Sequence, residues 1–185
     1  TLDRSSAASD VYKRQGLGEV ERALVTLRAS LARCPAGVPY RCANLELALA
    51  RLLLTGYRLD EAADHAAIAR RGFAGAGGPT SDRVQALTLL AEIDRVRGRF
   101  TSMAAFFAEA RATDGSCGFG VFVDEALATA AYWRSDVALA RALAPAVGAC
   151  DLAPSPVLLQ LRVDLARQTG DAADVATARL GERRH

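Results

Sequence analysis

Lysine occurs once in this chain, at Lys13, and asparagine once, at Asn44. Histidine occurs twice, at His65 and His185, and the four cysteines, Cys34, Cys42, Cys117 and Cys150, form no CxxC. Metal-ligand spacing is therefore missing, and no metal or other cofactor is expected. The cysteines are expected to be reduced and buried. No apolar run approaches the roughly 18 residues that a membrane-crossing helix needs. Charge of one sign is also scarce in excess: the formal net charge is +2. A near-neutral chain has no broad electrostatic claim on nucleic acid or an anionic membrane, so neither is expected as a direct partner.

Chemical motifs are missing as well. The glycine-rich stretch 73–82, "FAGAGGPTSD", has neither the GK[ST] ending nor the preceding strand of a phosphate loop, and reads as a linker. The stretch 115–122, "GSCGFGVF", contains a GxG but follows a helix, and reads as a turn. No serine or cysteine sits in a nucleophile motif. His65 lies four residues after Glu61, a spacing that can bind a metal or move a proton, but two ligands are too few and a solvated helix face is the plainer reading. Arg95, Arg97 and Arg99 could contact phosphate, yet arginine is common at helix C-termini for electrostatic reasons. The chain is expected not to be an enzyme, with no catalytic residues.

What is present is helix. Hydrophobic residues make up 51% and charged residues 24%, which excludes a disordered composition. Leu45, Leu49, Leu52 and Leu53 repeat at helical spacing, as do Ala86, Leu89, Leu90, Ile93 and Val96, and Leu127, Ala130 and Ala131. Ser155–Pro156 is a helix start, because serine can cap free amides and proline is tolerated in the first turn. No strand-like alternation persists. Small residues end each helical pattern at Gly18, Gly56, Gly98, Ser135 and Gly170, giving spacings of 38, 42, 37 and 35 residues.

Those spacings and the stretches "GEVERALVTLRASLARCP" and "GRFTSMAAFFAEA" resemble the tetratricopeptide-repeat (TPR) family. Gly18 takes the hinge position, Ala23 the small packing position and Pro35 the terminating proline. Gly98, Phe100, Phe106, Phe107 and Ala110 match in the second stretch, with Met103 where the family has a small residue, which suggests looser packing. The Ser135 and Gly170 repeats are degenerate. The resemblance implies an all-α, right-handed α-α superhelix (a TPR-like solenoid) of about nine helices over residues 16–185. Ala62, Ala110 and Ala140 should then lie between helices. One helix pair cannot bury its apolar face alone, and stacking neighbours supplies a continuous core.

The same resemblance places the first helix of each pair on a groove. Counting back from the hinges puts Glu46, Gln85, Thr88, Glu92, Arg95, Phe122, Glu125, Thr129, Tyr132 and Trp133 there, with His65 on the outer layer. Aromatics beside carboxylates suit a protein or peptide partner. The Lys/Asn clamp that some family members use for terminal carboxylates is not visible. The implied function is a protein-interaction scaffold. A more particular similarity is to helical-repeat regions of large actinobacterial LuxR-type ATPase regulators, which would make the chain a fragment of a bacterial, cytoplasmic regulator. The alternative is a small-molecule-sensing helical domain of such a regulator. Oligomeric state is not legible.

Ser5–Gln15, "SSAASDVYKRQ", can also be read codon for codon as the translation of a transposase-type sequencing adapter. Thr1–Gln15 is on that reading a non-native tail, without an apolar docking face though able to extend the first helix. The natural chain would then enter near Gly16, with its true N-terminus missing.

Overall fold

The computed structural model describes residues 3–35, 39–77, 79–144, 149–151 and 155–170, with side chains from Gly18 onward except at Ala149 and Thr169. Eight α-helices and one 3-10 turn are present among these residues, and no strand. They fall into two units, residues 1–113 and 114–185. The first holds α1 (Asp3–Ala32), α2 (Pro39–Thr55), α3 (Leu59–Gly75), α4 (Thr80–Val96) and α5 (Phe100–Thr113). The second holds α6 (Cys117–Trp133), α7 (Val137–Leu143), a 3-10 turn (Ala149–Asp151) and α8 (Pro156–Thr169). The helix expected after Gly170 lies outside the described residues.

Neighbours in sequence pack as pairs: α2 on α3, α4 on α5, α6 on α7, with α1 against α2 and α3 against α4. In the first unit Leu24, Leu47, Leu49, Leu53, Phe73, Leu89, Leu90 and Ile93 make one buried cluster, with Ala43, Ala50, Ala62, Ala66 and Ala69 between the helices. Alanine at these crossings lets backbones approach. Gly72 goes further: a Cβ there would lie 2.7 Å from the Ala43 Cβ. Ala62, Ala110 and Ala140 are each fully buried, as the repeat register requires. Met103 is also fully buried, so its bulk is accommodated rather than leaving the helix loosely packed. On α2, Leu49 and Leu53 are core residues, whereas Leu45 and Leu52 are only half-buried and Leu47 takes their place.

The turns repeat in detail. A left-handed residue ends the first helix of a pair at Tyr57 (φ 56°), Gly98 (φ 69°) and Ser135 (φ 62°), and Gly170 (φ 71°) ends α8. The following N–H reaches back five residues: Arg58 to the Leu53 carbonyl at 2.9 Å, Arg99 to Asp94 at 2.8 Å, Asp136 to Ala131 at 3.0 Å. This is the Schellman closure, which satisfies carbonyls that a helix end leaves unpaired. The expected hinge at Gly56 is off by one, because the five-residue closure falls on Tyr57. Gly18 is no hinge at all. Helix α1 runs through it, since a lone glycine costs a helix only about 1 kcal/mol relative to alanine and no capping residue follows.

Tyr57 stands where the next turn has glycine. A side chain in this conformation costs about 1–2 kcal/mol, partly offset by the extra freedom of an unfolded glycine. Tyr57→Gly is therefore expected to raise stability by about 0.5–1 kcal/mol in a denaturant titration, and a loss of stability would mean that the exposed ring contributes packing of its own.

Two further expectations change. Residues 117–122 are helix rather than turn, because the Ser116 hydroxyl accepts from the Phe119 N–H and starts α6 there. Ser155 caps α8 in the same way, accepting from Leu158 at 3.0 Å with Pro156 in the first turn, as its sequence predicts. The cysteines are not free thiols. Cys34 pairs with Cys42 across the α1–α2 turn, and Cys117 with Cys150 in the second unit, each with Cα atoms 5.8 Å apart. Chain reversal brings residues together that are eight and 33 positions apart, which spacing in sequence does not reveal.

Candidate functional site

The candidate groove residues lie on α2 and α4 of the first unit and α6 of the second, the first helices of their pairs. In the first unit, Glu46 is no part of an open face. It is buried against α3, where its carboxylate meets His65 Nδ1 at 2.5 Å. His65 is thus a bridge between paired helices, not a solvated outer residue. Glu61, four residues before His65, accepts two hydrogen bonds from Arg58, both at 2.8 Å, and one from Arg28 at 3.1 Å, so the metal- or proton-handling pair weighed against a solvated face does not form as a bond. The Arg58 bonds hold the Glu61 carboxyl below the ordinary glutamate range.

Along α4, Gln85 accepts from Arg51 Nη2 of α2 at 2.6 Å, and the Tyr40 hydroxyl donates to Asp82. That bond to a carboxylate pushes the Tyr40 phenol up. Thr88 turns its hydroxyl back to the Val84 carbonyl at 2.8 Å. Glu92 and Arg95 form a two-bond pair at 2.5 and 2.7 Å, which raises the Arg95 guanidinium further above neutrality. Arg97 binds Asp60 of α3 and lies 3.7 Å from the buried Asp94, and Arg99 approaches Asp94 at 4.0 Å. The three arginines around Gly98 are each set against a carboxylate.

A cluster with no counterpart in the sequence reading joins three helices. Arg70 of α3 and Arg83 of α4 converge on Glu109 of α5, at 2.5 and 3.0 Å, and Arg70 lies over the Phe106 ring at 6.0 Å. Burial alone would push the Glu109 carboxyl up, but hydrogen bonds from Arg83 and Arg70 outweigh it and hold the group below its usual value. A carboxyl lowered by folding contributes stability that is complete above its unfolded value, about 4.3, and is lost as pH falls through the folded value. Glu109→Gln should therefore lower the melting temperature at neutral pH and flatten the acid limb of the stability profile. An unchanged acid limb would show that the cluster does not couple to folding. Positions 26 and 39 residues apart carry no local signature of this contact.

In the second unit α6 carries the remaining candidates. Phe122 is 47% exposed and stacks on Phe119, with ring centroids 5.8 Å apart. Trp133 is 65% exposed. Phe122, Ala126, Thr129 and Trp133 follow i, i+4, i+7, i+11 and share one stripe of the helix. The Thr129 hydroxyl in that stripe is buried and lacks a hydrogen-bond partner. Glu125 accepts from Ser155 Oγ at 2.6 Å, and the Tyr132 hydroxyl accepts from Gln168 Nε2 at 3.2 Å, both tying α6 to α8. Tyr132 is half-buried, so the more exposed aromatics of this helix are Trp133 and Phe122. No group of three or more potential metal ligands occurs among the described residues. No helix among them is long and apolar enough to cross a membrane.

Paired antiparallel helices with a recurring Schellman turn make a TPR-like helical-repeat fold, and solved structures agree. The chain is similar to BtubC (BKLC) from P. vanneervenii, with a TM-score of 0.71 and 20% identity over 92% of this chain and 74% of that one. It is also similar to Pseudomonas aeruginosa PilF, a TPR-containing protein, with a TM-score of 0.58 and 17% identity over 95% of this chain and 90% of that one. No family model matches the sequence, and no curated protein does.

Proposed function

We propose that this chain is a protein-interaction scaffold that takes a peptide or protein segment on α6, the first helix of the pair in its second unit. The observation that supports it best is the α6 stripe, where Phe122 and Trp133 are 47% and 65% exposed three helical turns apart, with Glu125 near them. Large aromatics of this kind contribute disproportionately to binding when a partner covers them. The helical-repeat fold is in keeping with such a role, and we read the chain as having no catalytic chemistry of its own. We also read it as part of a larger bacterial regulator, on its resemblance to the repeat regions of LuxR-type ATPases; the uninterrupted gene on either side would decide that. A cytoplasmic location belongs to the same reading.

The test is a titration of a partner isolated by pull-down against three folded proteins. Trp133→Ala is expected to weaken binding tenfold or more, about 1.4 kcal/mol. Ile68→Ala, at a 40% exposed position on the second helix α3, should leave affinity within about twofold. Equal affinities of wild type and Trp133→Ala would reject the α6 stripe as the docking face.

A further inference from the structure

We propose that the Cys117–Cys150 disulfide is a redox clasp on the start of α6, one that dithiol reductants open ahead of Cys34–Cys42. The two bonds differ in setting. Cys117 is the first residue of α6 and is exposed, while its partner Cys150 is half-buried in the 3-10 turn. Cys34 and Cys42 are both half-buried, on either side of one short turn. An exposed cysteine is more open to a reductant than a pair of which both residues are half-buried.

Backbone conformation bears on the Cys117–Cys150 bond as well. Cys150 and Asp151 are consecutive residues with φ of 61° and 57°. Two adjacent side-chain-bearing residues in the left-handed region are disfavoured and persist only where something holds them. The covalent bond to Cys117 is such a restraint, because it anchors the turn to α6 across 33 residues. Opening the bond frees the turn to relax, which favours the open form.

Chemistry at the helix end points the same way. The start of α6, capped by Ser116, is the positive end of the helix dipole, which stabilises an anion. A thiolate released at Cys117 is favoured there, and a stabilised thiolate leaves faster. One thiolate of a dithiol attacks the sulfur of the exposed Cys117, forming a mixed disulfide as the Cys117–Cys150 bond breaks and Cys150 departs with the electron pair. The second thiol of the reductant then attacks its own sulfur in the mixed disulfide and releases Cys117, the thiolate that the helix start favours. Two electrons and two protons pass to the protein, and the reductant leaves as a cyclic disulfide. Phe119 and Phe122 lie in the first two turns of α6, so the clasp sets the order of the segment that begins the exposed stripe.

The experiment uses the whole chain, prepared without reductant, in a dithiothreitol series with thiols trapped by iodoacetamide and located by peptide mass. Cys117 and Cys150 are expected to become alkylated at a dithiol concentration at least tenfold below that for Cys34 and Cys42, with the helical circular dichroism retained. Hydrogen exchange of the amides of residues 117–123 should quicken on opening. The double variant Cys117→Ser, Cys150→Ser should show that faster exchange from the outset and no response to dithiol. Opening of Cys34–Cys42 first, simultaneous opening of both, opening only with loss of helix, unchanged exchange, or four free thiols at the start would each overturn the clasp. None of these readouts involves a partner, so the clasp and the docking face stand or fall separately.

Discussion

Leu53→Ala is expected to cost about 2–5 kcal/mol of unfolding free energy, the range for a fully buried leucine that leaves a cavity behind. Leu53 has no solvent exposure and sits in the cluster that α2, α3 and α4 share. Its carbonyl also accepts the Arg58 N–H that closes the first turn, so collapse around the missing side chain would have to move that turn. Closely packed helices relax only in part, which places the cost toward the upper end. Val25→Ala is the matched control: Val25 is 65% exposed on α1, and a change there should fall within about 0.5 kcal/mol. Denaturant midpoints for the two variants measure the difference directly. Equal midpoints would show that α2 is not packed in this register.

Ala110→Leu is expected to destabilise by about 1–3 kcal/mol through the opposite fault, excess volume. Ala110 is fully buried on α5. Three extra carbons cannot be placed there without moving a helix or forcing a poor rotamer, because interiors are packed to crystal-like density. Ala108→Leu, at an exposed position of the same helix, adds the same atoms where solvent can give way. Its stability should stay near that of wild type. If Ala110→Leu proved neutral, the small position of the repeat would lie elsewhere on α5.

Helical spacing of the apolar residues, the recurrence of small residues near every 35 to 42 positions, and Ser155–Pro156 as a helix start were all sufficient to read an all-α repeat from the chain alone. Each is a local property: a period of 3.6, a glycine or serine that tolerates a left-handed turn, a hydroxyl within reach of the next amides. Ala62, Ala110 and Ala140 were legible for the same reason, since the repeat gives them equivalent places. Tertiary structure decided everything that joins distant residues. Glu46 and His65 are 19 residues apart and meet only because α2 and α3 pack face to face. Arg70, Arg83 and Glu109 converge from three helices, and the cysteines find partners only after the chain has turned back on itself. Even the hinge at Tyr57 was beyond local rules, because the five-residue closure, not residue preference, chose which residue of Gly56–Tyr57 takes the left-handed conformation. Local sequence specifies where helices begin, end and hide their apolar faces; which polar side chains those faces bring together depends on helix crossing geometry, which no short stretch of the chain encodes.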